Sequence, residues 1–269
     1  MTITAIILPK EKVKMYFTVI TKKKLICVLC TVLIAVIACI SICGTGAYNV
    51  FYGRAVRSLP IYRVQTEQKK IAISFDCAWG VDYTDKLLEI MQSEDVKCTF
   101  FTVEFWTVKY PDYVKKISDA GHEIGTHSAT HPYMSKLDKT AIVKELTSSS
   151  KAIEDITGKK VEVFRPPYGD YNDLLIETAK ELGLYTIQWD VDSLDWKNLS
   201  ASEITKRVVS KVKNGSIVLF HNQGLHTAEA LGGIIKTLKA KGYSFVPIGE
   251  LIYRDNYKMG ADGSQIQNL

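Results

Sequence analysis

Beyond Lys69 two hydrophobic periods alternate along the chain, and this alternation constrains its fold more than any other feature. Short apolar runs rich in Val, Ile and Phe occur at 71–77, 98–103, 122–126, 161–165, 185–190, 216–221 and 244–248. Between them lie amphipathic stretches of helical length, at 84–93, 111–120, 138–157, 172–182, 201–213 and 227–241. A strand followed by a helix, repeated about seven times, needs crossover connections and therefore a parallel sheet, open and doubly wound or closed as a barrel. In such folds the carboxyl ends of the strands form one face, where residues far apart in sequence meet. Asp76, His127, Arg165, Asp192, Asp195 and His221 all fall just at those ends.

Composition narrows the class further. A chain of 269 residues, 46% hydrophobic and 23% charged, excludes a disordered, collagenous or disulfide-knot protein. Of its 34 basic and 29 acidic residues, six Lys and one Glu lie within residues 1–47, which leaves 28 of each for the rest. The folded part is thus neutral with mixed charges, and nucleic acid is excluded as a partner.

Leu25 to Cys43 carries no charge and nothing more polar than Thr or Ser. Nineteen helical residues rise about 28 Å, close to the thickness of a hydrocarbon core. Lys22, Lys23 and Lys24 precede the segment and no basic residue follows until Arg54, so the positive-inside bias puts the N-terminus in the cytoplasm. A cleaved signal peptide is the competing reading, although its apolar region is normally about 7–15 residues. Val36 to Cys39 also matches a bacterial lipoprotein cleavage box. The expected organisation is a cytoplasmic basic tail at 1–24, a single transmembrane helix at 25–43, a stalk at 44–68, an extracytoplasmic domain at 69–250 and a polar, loosely ordered tail at 251–269. Of the six cysteines, Cys27, Cys30, Cys39 and Cys43 are apolar filler within the membrane segment. Cys77 and Cys98 fall at opposite ends of neighbouring strands, which argues against a disulfide between them.

His127 and His131 stand four residues apart in His-Ser-Ala-Thr-His, a spacing that lets two imidazoles share a divalent metal. Gly125 and Pro132 bracket them at a strand end; two unrelated surface histidines are the bland alternative. Asp76 ends a run too apolar to be exposed, so its carboxylate needs a partner, and Arg165 at an equivalent strand end is the natural one. A structural ion pair and a catalytic carboxylate fit that pairing equally. Asp192-Ser-Leu-Asp195-Trp196 places two acids beside an indole, read either as a solvated loop or as a sugar- or acyl-binding surface. His221 ends an apolar strand, where Asp195 could hold it protonated. Trp79, Trp106, Tyr133, Tyr168 and Trp196 are candidate aromatics for the rim of an open groove.

Asp76 after Ser-Phe, His127 to His131, Arg165-Pro-Pro-Tyr-Gly169, Asp192 to Trp196 and Leu219-Phe-His221 follow one another in order. Together they resemble the five motifs of the polysaccharide deacetylases, the carbohydrate esterase family that includes the Nod-factor and chitin deacetylases. The resemblance spans about 69–250. Phe75-Asp-Cys-Ala-Trp-Gly80 behind a membrane segment is similar to the sporulation-associated branch of the family.

The resemblance implies an α/β fold, a distorted, shortened (β/α) barrel of about seven parallel strands. It implies metal-dependent removal of N-acetyl groups from the amino sugars of a cell-wall polymer, most plausibly peptidoglycan, outside the cytoplasmic membrane. His127 and His131 would bind the metal, zinc with cobalt or nickel as alternatives. Asp76 would act as base, held by Arg165, and His221, oriented by Asp195, would protonate the departing amine. The Tyr168 backbone N–H would contribute to the oxyanion site, and Trp196 and Leu219 would wall the acetyl pocket.

One family feature is missing: the usual second Asp, the third metal ligand, is Cys77 here. Either Cys77 ligates as thiolate, or the thiol faces away and two histidines remain, with Asp82 a conceivable substitute. The second case admits a weak or silent glycan-binding domain of the same fold. A metal hydrolase acting on a small-molecule amide is a further alternative.

Overall fold

The computed structural model describes residues 21–51 and 58–268, with side chains for 21–37 and 58–268. The chain divides into two compact units, Met1–Val56 and Arg57–Leu269. In the first unit α1 runs Lys22–Phe51. Among the described residues no helix is long and apolar enough to cross a membrane. The expected 25–43 span falls in its second part on side chains outside the described residues, as do most of the 1–24 tail and part of the 44–68 stalk.

The second unit begins with β1 (Arg63–Val64), β2 (Lys70–Cys77), α2 (Thr84–Ser93), β3 (Thr99–Thr102), α3 (Glu104–Lys109), α4 (Pro111–Asp119) and β4 (Glu123–Thr126). It continues through α5 (Lys139–Thr157), β5 (Val163–Phe164), α6 (Asp173–Glu181), β6 (Tyr185–Thr186), β7 (Val191–Asp192), α7 (Ala201–Lys211) and β8 (Ile217–His221). It ends with α8 (Thr227–Ala240), β9 (Ser244–Phe245), α9 (Ile248–Leu251), β10 (Tyr257–Met259) and β11 (Ser264–Gln267). The parallel sheet has the order β6-β5-β4-β3-β2-β8-β7, and β9 pairs with β2 as well. β6 and β7 are the ends of that path, so the barrel is an open, partial one.

Helix boundaries follow local chemistry. Asp138 and Asn172 cap α5 and α6 by accepting the backbone N–H groups of Ala141 and Leu175. Ser200 and Glu203 form a capping box at α7. Gly158, at φ 66°, ends α5 in the left-handed conformation that suits glycine.

Side-chain alternation along β2 divides the core. Ile71, Ile73, Phe75 and Cys77 face the layer of helices, with Leu87, Phe100, Ile117 and Leu231 in the same apolar cluster. Ala72 belongs to the second, inner cluster with Phe101, Val163 and Ile217, and Ser74 and Asp76 follow it on the same face by the two-residue period of a strand. The strand ladder therefore delivers Asp76 to the interior of the partial barrel and its neighbour Cys77 to the opposite side.

Two boundaries are corrected. Residues 58–68, expected as the end of the stalk, are part of the domain. Ile61 bridges Ile187, β1 pairs with β11, and Ile61 and Val64 are buried. The stretch 251–269, expected as a loose tail, forms β10 and β11 in an antiparallel pair. The buried Gln265 side chain exchanges two hydrogen bonds, both 2.7 Å, with the backbone of Tyr253. Strands of two to four residues are too short to leave a hydrophobic period in the sequence.

Candidate active site

Asp76 and His221 are register partners on adjacent parallel strands, so their side chains emerge together on one face at the carboxyl ends. There they line a cavity of about 730 Å³ with Trp79, His127, His131, Tyr168, Trp189, Asp192, Trp196 and Leu219. The five sequence segments singled out above thus meet in one pocket.

Asp76 is nearly buried, and its Oδ1 accepts a hydrogen bond of 2.8 Å from Arg165 Nη1. Arg165 is wholly buried, donates through Nη2 to the Gln188 carbonyl at 3.2 Å and lies over the Phe101 ring at 4.2 Å. Burial pushes the Asp76 carboxyl upward, but the charges of Arg165, His127 and His221 outweigh it and hold the group below its ordinary value. Asp76 is therefore a carboxylate at neutral pH.

Asp76 Oδ2 lies 3.6 Å from His127 Nε2. On the other side of the ring, His127 Nδ1 is 2.7 Å from the Arg165 carbonyl, to which it can only donate. That bond fixes the tautomer and leaves the Nε2 lone pair facing the pocket, the arrangement of a metal-ligating histidine. Burial draws the imidazole down to about 4, so it is neutral and able to ligate. The His131 ring centroid lies 5.0 Å from that of His127, and burial depresses His131 too.

The loop carrying both imidazoles bends through Ser128 and His131 at φ 72° and 60°. It is held by Glu145 of α5, which accepts hydrogen bonds from Ala129 N (2.9 Å), Thr130 N and Thr130 Oγ1 (both 2.8 Å). The sequence reading missed Glu145, because a glutamate within an amphipathic helix looks like any solvated residue.

Cys77 resolves the question of the third ligand against itself. The thiol is fully buried in the helix-side cluster, with Sγ 3.9 Å from the Phe75 carbonyl oxygen, on the face opposite Asp76. Burial first, then the charges of Asp76 and Cys98, push it well above the ordinary thiol range, so no thiolate is offered. Asp82 is not among the residues lining the cavity, and its Oδ2 accepts from Gln223 Nε2 at 2.5 Å. Among the described residues no group of three His, Cys, Asp or Glu side chains is assembled to hold a metal. The donors present fit an ion held by His127 and His131; they do not complete the three-ligand set. Cys77 and Cys98 are both free, as their placement at opposite strand ends implied.

Beside Asp76, His221 Nδ1 is 2.8 Å from Asp195 Oδ1. Asp195, fully buried, also accepts at Oδ2 from His221 N (2.8 Å) and from Thr227 Oγ1 (2.6 Å). Burial alone would lower the His221 imidazole, but the hydrogen bond and charge of Asp195, with Asp76 and Asp192 behind them, raise it above its ordinary value. A carboxylate pushed down and an imidazole pushed up in one cavity form a base and an acid in their working protonation states. Asp192 bends the backbone after β7, its Oδ1 accepting from Leu194 N at 2.8 Å.

Tyr168 sits at φ 59° in the turn after Pro166 and Pro167, stacked on Tyr133 with ring centroids 4.4 Å apart and edge-on to His131 at 4.6 Å. Leu219 is buried in the pocket wall, while Trp79, Tyr133, Tyr168 and Trp196 are exposed around it. Trp106, expected at the rim, is instead buried and donates from Nε1 to the Gly80 carbonyl at 2.7 Å. Trp189, unmarked in sequence at the end of an apolar run, lines the pocket.

Comparison with known proteins agrees with this geometry. A family model described as polysaccharide deacetylase matches residues 63–187. A peptidoglycan-N-acetylglucosamine deacetylase of Bacillus cereus is 35% identical over 71% of this chain and 92% of its own length. The uncharacterized protein YlxY of Bacillus subtilis is 38% identical over 72% of this chain, which spans 60% of YlxY. The crystal structure of BA3943, a CE4 family pseudoenzyme from Bacillus anthracis, superposes with a TM-score of 0.70 at 34% identity, covering 78% of this chain and 73% of that one. A mutant of BA3943 described as having restored enzymatic activity gives the same TM-score at 39% identity, over 73% and 71%. With its fold, its five motifs and a relative matched over nearly its full length, the chain belongs to the polysaccharide deacetylase family.

Proposed function

We propose that this chain is a hydrolase that removes the N-acetyl group from amino sugars of a cell-wall polymer, with peptidoglycan as the substrate class. The observation that carries the reading is the adjacent pair of Asp76, locked by Arg165, and His221, locked by Asp195, in one cavity with two neutral imidazoles. A glycan-binding module has no need of an aligned base and acid. Asp76 takes the proton of a water attacking the acetyl carbonyl, and Arg165 keeps that carboxylate ionised and fixed. His221 delivers its proton to the departing amine, because a neutral amine leaves far more readily than its anion. Leu219 and Trp196 exclude water around the acetyl methyl, and the turn at Tyr168 bounds the opposite wall. A divalent ion, zinc with cobalt or nickel as alternatives, would be held by His127 and His131 and would polarise the acetyl carbonyl.

The apolar run at 25–43 supports placing the chain as a single-pass protein of the cell membrane, domain outward, and the similarity of Phe75 to Gly80 to the sporulation-associated branch supports the envelope of a spore-forming cell. A second reading, a weak or silent glycan-binding domain, is favoured by the Cys77 thiol turned into the core. Similarity to a pseudoenzyme supports it as well.

Acetate release from peptidoglycan and from N-acetylglucosamine oligomers, with zinc, cobalt or nickel added, decides between the two. The deacetylase reading predicts release by the wild type that His127→Ala abolishes. Release no faster than the variant's with all three metals selects the silent domain.

A further inference from the structure

At the amino ends of the strands, away from the active site, three metal-binding side chains meet that the hydrolysis does not call for. They are Met91 of α2, Cys98 just before β3 and His122 just before β4. Cys98 Sγ lies 3.2 Å from Met91 Sδ and 3.5 Å from His122 Nδ1, and all three side chains are buried. The thiol thus has one proton and two acceptors beside it. The Cys98 backbone N–H donates to the same Nδ1 at 3.3 Å, so that nitrogen is the unprotonated one and its lone pair is turned toward the cysteine. Burial pulls the His122 imidazole down to about 4, which keeps the lone pair free of a proton at neutral pH. The Phe100 ring meets His122 edge-on, centroids 5.6 Å apart, and holds its orientation.

Aliphatic side chains at 91 and 98 would fill this part of the core as well, but would not set a thioether and an imidazole lone pair on one thiol. An ion about 2.3 Å from sulfur and about 2.0 Å from nitrogen spans the 3.5 Å between Sγ and Nδ1 at a near-tetrahedral angle, and the two sulfurs need part by only about half an ångström to share it. His122 also lines a hollow of about 80 Å³ with Ser118, Glu123 and Thr157, through which an ion reaches the ring. A thiolate and a thioether beside an imidazole select Cu(I) and suit cobalt or nickel poorly. We propose that Met91, Cys98 and His122 form a second metal site, separate from His127 and His131, that takes Cu(I) or a soft monovalent ion of its kind. Binding replaces the S–H bond with a sulfur–metal bond and releases that proton to solvent, while the ion keeps its oxidation state. The bound ion ties α2 to the starts of β3 and β4 and touches none of the residues that line the catalytic cavity, so the site stands whether or not the chain deacetylates.

Silver ion, which needs no reductant, is the probe. The protein titrated is the full chain with Cys27, Cys30, Cys39, Cys43 and Cys77 replaced by Ala, so that Cys98 is the remaining thiol. Calorimetry should show one equivalent bound with one proton released. That equivalent should vanish in Cys98→Ser on the same background, which also reports any silver held by His127 and His131. The same one-equivalent difference should separate the wild type from its own Cys98→Ser variant. Met91→Leu keeps the side-chain volume and should weaken binding at least about tenfold, the low end of what losing even an outer-shell partner costs. Without silver its unfolding temperature should stay close to the parent's, which excludes misfolding as the cause. The nitrogen-15 resonance of His122 Nδ1 should move on binding. A Cys98→Ser variant that binds as much silver as its parent overturns the site. Equal affinity in Met91→Leu, or an unmoved Nδ1 resonance, overturns it by leaving a lone thiol. Cu(I) supplied without oxygen should compete for the same equivalent, and failure to compete overturns the choice of ion.

Discussion

Removing the Asp76 side chain tests the physical argument where its two halves, stability and chemistry, share one residue. Arg165 is completely buried, and among the described residues Asp76 is the only acidic group bonded to it. It also donates to the Gln188 carbonyl and lies over the faces of Phe101 and Trp189, and among the described residues its Nε has no hydrogen-bond partner. Asp76→Ala therefore strands a guanidinium in the core, a change that costs roughly 3–5 kcal/mol, a large part of a typical domain's 5–15 kcal/mol. The cost depends on pH with a definite sign. The folded carboxyl is held below its unfolded value of 3.8, so its contribution is complete above that value and is lost as pH falls through the folded one. Urea unfolding of wild type and Asp76→Ala between neutral and acid pH should show the gap closing on acidification below about pH 4. Asp76→Ala with Arg165→Met removes both charges and should recover most of the lost stability while remaining inactive. A single variant within about 1 kcal/mol of wild type at neutral pH would refute the claim that Arg165 depends on Asp76.

Other consequences are equally direct. Asp195→Asn keeps an acceptor for Thr227 and the backbone of His221 but removes the charge that raises the imidazole, so the alkaline limb of the pH–rate profile moves to lower pH; an unmoved limb would show that His221 is not the acid. Glu145→Ala frees the loop bearing His127 and His131, and should weaken zinc binding about 10–100-fold in a competition titration, on the scale of other outer-shell partners of metal sites. In a cobalt titration the absorption spectrum should lack the thiolate-to-metal charge-transfer band, and Cys77→Ser should leave it unchanged; the appearance of that band would contradict the burial of Cys77.

How much of this could be read from sequence differs by residue. The six helices expected between 84 and 241 appear within a few residues of their predicted bounds, because each carries an amphipathic period over two or more turns. Asp76, His127, Arg165 and His221 could be placed together because a parallel sheet gathers strand ends on one face. Short elements could not be read: α3, β1, β10 and β11 are too brief to show a period, so residues 58–68 and the C-terminal stretch looked irregular. The direction of Cys77 was in principle accessible, since a strand continuing through Asp76 must turn the next residue to the other face. What left it undecided was where the strand ended. Glu145 and Thr227, which hold the loop and the acid in place, left no signal, because their roles depend on what the fold brings near them.

The central claim is that Asp76 directs water at an acetyl carbonyl, and the fate of the oxygen tests it most directly. N-acetylglucosamine tetramer is incubated with the zinc-supplemented chain in oxygen-18 water, and the products are weighed by mass spectrometry. The account predicts acetate carrying a single heavy oxygen, a free amine on the sugar, and neither product with Asp76→Asn. Unchanged tetramer, or equal acetate from the Asp76→Asn variant, would contradict it.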